Sequence, residues 1–280
     1  MADVTVRGVR LHYQRLGDPD ADVRVVFLHG LVMDNLASYY FTLANAAASH
    51  ADVLLYDLRG HGRSERPTTG YALADMVEDL AALLDATLGA RAVHLVGNSF
   101  GGLLALAFAR QFPERVAGVV LIDAHVGGDG FGEQMASTLA LTGEERDRRI
   151  ADSFQHWLGR HSSRKRTRLA ESAQDLVTRT SLVADMRRTP PLGADDLAAI
   201  DAPVLALYGA RSDILEASER ALSTMPRATI RIVPGCTHSL LWEATDLVRD
   251  AVIDFLTGAE SSRDPAPTTA LPAMPSEAGS

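Results

Sequence analysis

Cysteine is almost absent from this sequence: Cys236 stands alone among 280 residues. No intrachain disulfide can form, and no cysteine cluster is available for zinc or an iron–sulfur centre. The thiol itself reads as a small packed residue. Lysine is equally scarce, Lys165 being the only one, so arginine carries nearly all the positive charge. Positive charge is in any case the minority, with a net charge of −9 and a pI near 5.4. The field of such a protein repels phosphate backbones, which argues against nucleic acid as a partner. Long hydrophobic runs are missing too. The opening residues, Met1 to Tyr13, lack an apolar signal core, and no later run is long enough to cross a bilayer. A cytoplasmic protein without a membrane partner is expected. No internal repeat is apparent.

What is present is apolar residues, 46% of the chain, arranged as short strand-like runs alternating with helical stretches. At this length they can fill the core of one large α/β domain with an insertion. Strands are predicted at Val4 to Leu16, Val23 to Leu28, Val53 to Asp57, Val119 to Asp123, Val204 to Tyr208 and Thr229 to Val233, and helices at Leu73 to Leu88 and Leu240 to Leu256. The rhythm fails between His125 and Ala199, where a glycine-rich loop leads into helical segments with no strand. From Ala259 onward Ser, Pro, Ala and Thr dominate, as in a disordered tail. The expected organisation is a core of residues 1–124 and 200–258, a helical cap of 125–199 and a tail of 259–280.

The stretch Val93 to Phe108, VHLVGNSFGGLLALAF, carries the chemistry. It reads as strand, sharp turn and helix, with Ser99 at the corner and Gly97 and Gly101 two residues to either side, where the chain must fold over itself. A serine so presented, beneath the unpaired N–H groups of a helix start, is placed to attack a carbonyl. With its flanking strand and helix, GNSFG resembles the nucleophile elbow of the α/β-hydrolase superfamily. The loop Asp57, Arg59, Gly60, His61, Gly62, Ser64 resembles that superfamily's DxRGHGxS segment, where the resemblance implies an architectural role for His61. The likeness extends from Val4 to about Gly258 and implies a mostly parallel sheet flanked by helices, with a cap over the pocket.

By this resemblance the triad is Ser99, Asp213 and His238, in the family's chain order. Asp123 is the alternative acid, because some members place the carboxylate after the strand that follows the elbow. The oxyanion hole is expected from the backbone N–H groups of Leu31, after the His29-Gly30 pair, and of Phe100. Such a triad needs no metal and no organic cofactor. His29, Asn98, His125, Phe131, Phe154, Trp157 and Trp242 are candidates to surround the substrate, although His29 also reads as part of the loop's architecture. Asn98 beside the nucleophile resembles the Gly-Asn-Ser of carbon–carbon bond hydrolases of aromatic degradation.

A serine hydrolase acting on an ester or thioester is the leading expectation. A lyase, eliminase or cyclase using the same histidine as base, a carbon–carbon bond hydrolase and a hydrolase-fold ligand receptor are the alternatives. The basic run Arg160 to Arg168 within an acidic chain is either a solvated face or a landing patch for an acidic acyl carrier protein.

Overall fold

The computed structural model describes residues 2–128, 130–145 and 163–259. Its centre is an eight-stranded sheet made of β1 (Ala2–Val6), β2 (Val9–Leu16), β3 (Arg24–Leu28), β4 (Asp52–Tyr56), β5 (Val93–Asn98), β6 (Val116–Ile122), β7 (Val204–Gly209) and β8 (Ala228–Val233). The strands lie in the order β1-β2-β4-β3-β5-β6-β7-β8. The first two are antiparallel additions at one edge, and every pairing from β4 to β8 is parallel.

One predicted strand proves to be two. Val4 to Leu16 is a hairpin, folded at Arg7 and Gly8 with φ of 49° and 79° and closing on the pair Val6 and Val9. Positive φ at both central positions matches the right-handed twist of a two-residue hairpin. The turn escaped sequence reading because arginine is not a residue that marks such a conformation.

Parallel strands must be covered on both faces, and their apolar residues divide accordingly. Val26, Leu28 and Leu95 point to one side, where they pack with the helices α2 (Leu73–Thr87) and α3 (Phe100–Gln111). Val25, Phe27, Val53, Leu55, Val96 and Val120 point to the other. That face is covered by α1, which runs Ala37–Tyr39, widens to a π-helical turn over Tyr40–Ala44 and closes with Asn45–Ala47, and by the C-terminal helices.

Between β6 and β7 the described residues form only helices: α4 (Phe131–Leu139), α5 (Ser163–Arg179), α6 (Leu182–Arg187) and α7 (Ala194–Ala198). Leu176, Leu182 and Met186 join the main core cluster, so the insertion is anchored to the sheet domain. Leu197 and Ile200 are buried in the same cluster, which makes the last turn of the insertion part of the core's own packing.

After α8 (Leu215–Leu222) and β8, the predicted helix Leu240 to Leu256 is broken at Ala244 (φ −129°, ψ 43°) into α9 (Leu240–Glu243) and α10 (Thr245–Thr257). The tail expected over 259–280 lies, apart from Ala259, outside the described residues. Among the described residues no helix is long and apolar enough to cross a membrane.

Candidate active site

β5 delivers Ser99 to the C-terminal edge of the sheet. Its backbone there takes φ 53° and ψ −119°, a conformation that L-residues avoid and that the surrounding contacts must enforce. They do so from three sides: Ser99 N–H donates to the Ile122 carbonyl (3.1 Å), and the Ser99 carbonyl accepts from Gly102 N–H (3.1 Å) and His125 N–H (3.2 Å). The glycines are required by contact. A Cβ on Gly97 would overlap the backbone of Gly101, one on Gly101 the Leu28 carbonyl, and one on Gly102 the Ala124 side chain. The elbow therefore packs against the end of β3 with no space for side chains between them.

Ser99 Oγ stands 3.1 Å from His238 Nε2, and His238 Nδ1 stands 2.8 Å from Asp123 Oδ1. The acid expected from the sequence, Asp213, is replaced in this arrangement by Asp123. β6 pairs directly with β5, with Asn98 opposite Ile122, so the residue that ends β6 emerges beside the elbow. Asp123 turns there with φ 42° and is completely buried. Gly209 N–H donates to its Oδ2 at 2.8 Å and the Ser212 hydroxyl to its Oδ1 at 2.5 Å, so with His238 three donors converge on one carboxylate. The segment GARSD thus sends a hydroxyl toward the histidine's partner, while Asp213 is exposed on the same turn. Because Nδ1 faces a carboxylate, it carries the proton, which leaves the Nε2 lone pair for the serine hydroxyl.

The histidine loop has a support that sequence reading missed. Glu243 accepts from Thr237 N–H (2.6 Å) and from the Thr237 hydroxyl (2.8 Å), tying the residue before His238 to α9. No motif marks Glu243; only its position five residues past His238, on a helix that doubles back, gives it this role.

The loop after β3 lies across the elbow. A Cβ on Gly30 would come 3.6 Å from both Ser99 Cβ and Asn98 Nδ2, so the residue before Leu31, one expected oxyanion donor, lies against the serine, and Phe100, the other, follows the serine directly in the chain. Gly30 N–H is held by Asp34 Oδ2 at 2.8 Å. His29 does not line a pocket. It is completely buried, its Nδ1–H donates to the Gly30 carbonyl (2.7 Å) and its Nε2 accepts from Leu58 N–H (3.0 Å). The expectation that it touches substrate is corrected, since both ring nitrogens are used in joining two loops.

His61 is the counterpart from the other loop. Its Nδ1–H donates to the Arg59 carbonyl (2.8 Å) and its Nε2 accepts from Val32 N–H (2.7 Å). Arg59 is fixed by a bidentate pair with Asp79, both contacts at 2.6 Å. Burial, with the neighbouring His29, pushes the His61 imidazole down to about 3 from an ordinary 6.5. As pH falls below about 6.5 the unfolded chain takes up a proton that the folded chain refuses, so this stabilisation is complete above that pH and lost progressively toward pH 3. His61→Gln is expected to flatten the stability curve in that window by about 1.4 kcal/mol per pH unit, one proton's worth, as measured by urea unfolding at stepped pH.

Of the other expected pocket residues, Asn98 is half-buried beside Ser99. The His125 ring lies 5.7 Å from that of His238, and the Phe131 ring lies 5.5 Å from that of His125, one step further out. Trp242 packs on the group formed by Met33 and Ala173, where α5 meets the loop after β3. Met33 and Ala173 are contacts that no motif announced. Phe154 and Trp157 lie outside the described residues. A cleft of about 390 Å³ opens beside this loop rather than over Ser99, between Asp34, Leu36, Arg63, Leu169 and Ser172. Among the described residues no group of three or more His, Cys, Asp or Glu side chains could hold a metal ion.

A family model described as alpha/beta hydrolase fold matches residues 23–195, more than half of the chain. The chain belongs to the α/β-hydrolase family. It is 28% identical over 273 residues, 92% of this chain and 99% of the relative, to a carbamate hydrolase RutD of Caulobacter sp. (strain K31), a name given there as putative. It is 27% identical over 267 residues, 89% of this chain and 91% of the relative, to a 2-hydroxy-6-oxononadienedioate/2-hydroxy-6-oxononatrienedioate hydrolase of Burkholderia vietnamiensis (strain G4 / LMG 22486). Its fold superposes with a TM-score of 0.76 on the meta-cleavage product hydrolase CumD of Pseudomonas fluorescens IP01, at 24% identity and covering 93% of this chain and 98% of that one. This α/β hydrolase thus has relatives named for different bond cleavages on one scaffold.

Proposed function

We propose that this α/β hydrolase is a serine hydrolase that cleaves a carboxylic ester or thioester of a small to medium organic molecule through an acyl-enzyme. The observation that carries the reading is the unbroken relay from Ser99 Oγ to His238 Nε2 (3.1 Å) and from His238 Nδ1 to Asp123 (2.8 Å). In this reading His238 takes the hydroxyl proton as Ser99 attacks the carbonyl carbon, and Asp123 stabilises the imidazolium. The oxygen that gains the charge is met by the N–H groups of Leu31 and Phe100. His238 then gives its proton to the departing alcohol or thiol and activates water against the acyl-serine.

A second reading has its own support. Asn98 beside the nucleophile and the relative named a 2-hydroxy-6-oxononadienedioate/2-hydroxy-6-oxononatrienedioate hydrolase favour carbon–carbon bond cleavage by the same triad. The two separate on substrate. A fluorophosphonate probe followed by intact and peptide mass spectrometry tests the nucleophile, with the adduct expected on Ser99. A panel of p-nitrophenyl esters of increasing chain length, set beside a vinylogous 1,5-diketone, then tests the bond. Rapid turnover of the diketone with inert esters would overturn the ester reading.

An acidic carrier as the bearer of a thioester is the one substrate form that would use the basic run. Its Arg160 to Ser162 portion lies outside the described residues, while Arg164 and Arg168 are exposed on α5. Arg164→Glu with Arg168→Glu is expected to slow carrier-linked thioesters, more so at low salt, and to leave p-nitrophenyl esters untouched. Steady-state rates on both substrate types at two ionic strengths check this. Equal rates throughout would dismiss the carrier.

A further inference from the structure

Val32 is a β-branched residue with φ 69°, in a region that such residues avoid. It sits at the centre of a three-residue turn closed by Met33 N–H on the Leu31 carbonyl (2.9 Å), the rare, strained form of γ-turn with positive φ. A conformation of this kind costs on the order of 1–3 kcal/mol and persists only where its surroundings over-determine it. The residue that it follows is Leu31, the expected oxyanion donor.

What holds the turn is on the other loop. Val32 N–H donates to His61 Nε2 at 2.7 Å, and that ring cannot swing away, because its Nδ1–H is committed to the Arg59 carbonyl and its own backbone N–H to the Leu58 carbonyl (2.9 Å). The Arg59 side chain is locked in turn by Asp79, and His61 is almost wholly buried. The His29 ring, centred 5.2 Å away, fixes the preceding peptide in the reciprocal sense, donating to the Gly30 carbonyl of its own loop and accepting from Leu58 N–H of the other. A side chain that must donate on one side and accept on the other, within a rigid ring of this reach, is a neutral imidazole.

We infer that His61 is a positioning residue for the oxyanion hole: by accepting the Val32 N–H it holds the strained turn that aims the Leu31 N–H at Ser99. The inference rests on the serine-hydrolase reading above and adds to it a residue that touches neither substrate nor triad. Without the acceptor the turn at Val32 relaxes toward negative φ, and the peptide that carries the Leu31 N–H, one α-carbon away, keeps only the His29 bond to its Gly30 carbonyl and shifts out of line with the serine. The consequence falls on the transition state, because the ground-state carbonyl asks less of the hole than the oxyanion does.

The test uses the full chain, p-nitrophenyl acetate and a boronic acid that mimics the tetrahedral intermediate. His61→Leu keeps bulk and removes the acceptor; kcat is expected to fall about tenfold or more with KM nearly unchanged, and boronic acid affinity to fall in parallel. His61→Gln returns an acceptor oxygen near Nε2 and is expected to recover most of kcat. Val32→Pro forbids positive φ and removes the N–H from the other partner at a half-buried loop position, so it should reproduce the loss even if His61→Leu fails to fold. Wild-type kcat and boronic acid affinity in folded Val32→Pro, or a His61→Gln protein as impaired as His61→Leu, would overturn the assignment of His61. The absence of a Ser99 adduct with the fluorophosphonate in the unmodified protein would instead overturn the serine reading, and this inference with it.

Discussion

Alanine at position 99 is expected to leave a folded protein with turnover reduced about a million-fold, to the level at which other triads operate without their nucleophile. The hydroxyl's hydrogen-bond partner is His238 Nε2, and the strained φ of 53° is enforced by backbone bonds that alanine keeps. Ser99→Ala should therefore melt within a few degrees of the parent while losing its chemistry. The measurement is kcat on one p-nitrophenyl ester together with a circular dichroism melt. Full activity in the folded variant would remove the acyl-enzyme. Should activity survive there and vanish in His238→Ala, the histidine acts as a base on its own, as in an elimination.

The elbow was readable because its signals are local and stereochemical. Two glycines at fixed offsets from a serine, between a buried strand and a helix, describe a turn that few other structures need, and the contacts at Gly97 and Gly101 show why no other residue fits. His238 was readable for a similar reason, following the last strand at a short loop. The alternation of apolar runs gave the parallel sheet, since buried central strands leave no polar face.

What escaped depended on direction and not on position. Asp123 and Asp213 each follow a strand, and chain order cannot tell which carboxylate turns inward; the deciding groups are Gly209 N–H and the Ser212 hydroxyl, neither of which announces itself. His29 reads as a pocket residue because it stands two residues before the expected oxyanion donor, yet its ring is buried and joins two loops. Between β6 and β7, helices could be foreseen from the absence of strands. Which of their residues reach the site could not, because Leu169 and Ala173 meet Met33 through the docking of α5, a tertiary fact.

Asp123→Asn is expected to cost about four orders of magnitude in kcat, the loss seen when the acid of another Ser–His–Asp triad becomes an amide. Gly209 N–H can only donate, so the asparagine must turn its carbonyl oxygen toward it, at the place now held by Oδ2. The amide nitrogen then faces His238 Nδ1 and the Ser212 hydroxyl, where Oδ1 stands now. A donor opposite Nδ1 forces the ring's proton onto Nε2, which leaves Ser99 without a base. The asparagine itself stays hydrogen-bonded, since Ser212 can reverse its hydroxyl to accept, so the fold should persist. Asp213→Asn, altering an exposed side chain on the turn after β7, is expected to stay within about threefold of the parent. Turnover of both variants on one ester at one pH decides between them. A dead Asp213→Asn beside an active Asp123→Asn would return the acid's role to Asp213 and leave Asp123 as a support for the loop around Ser212.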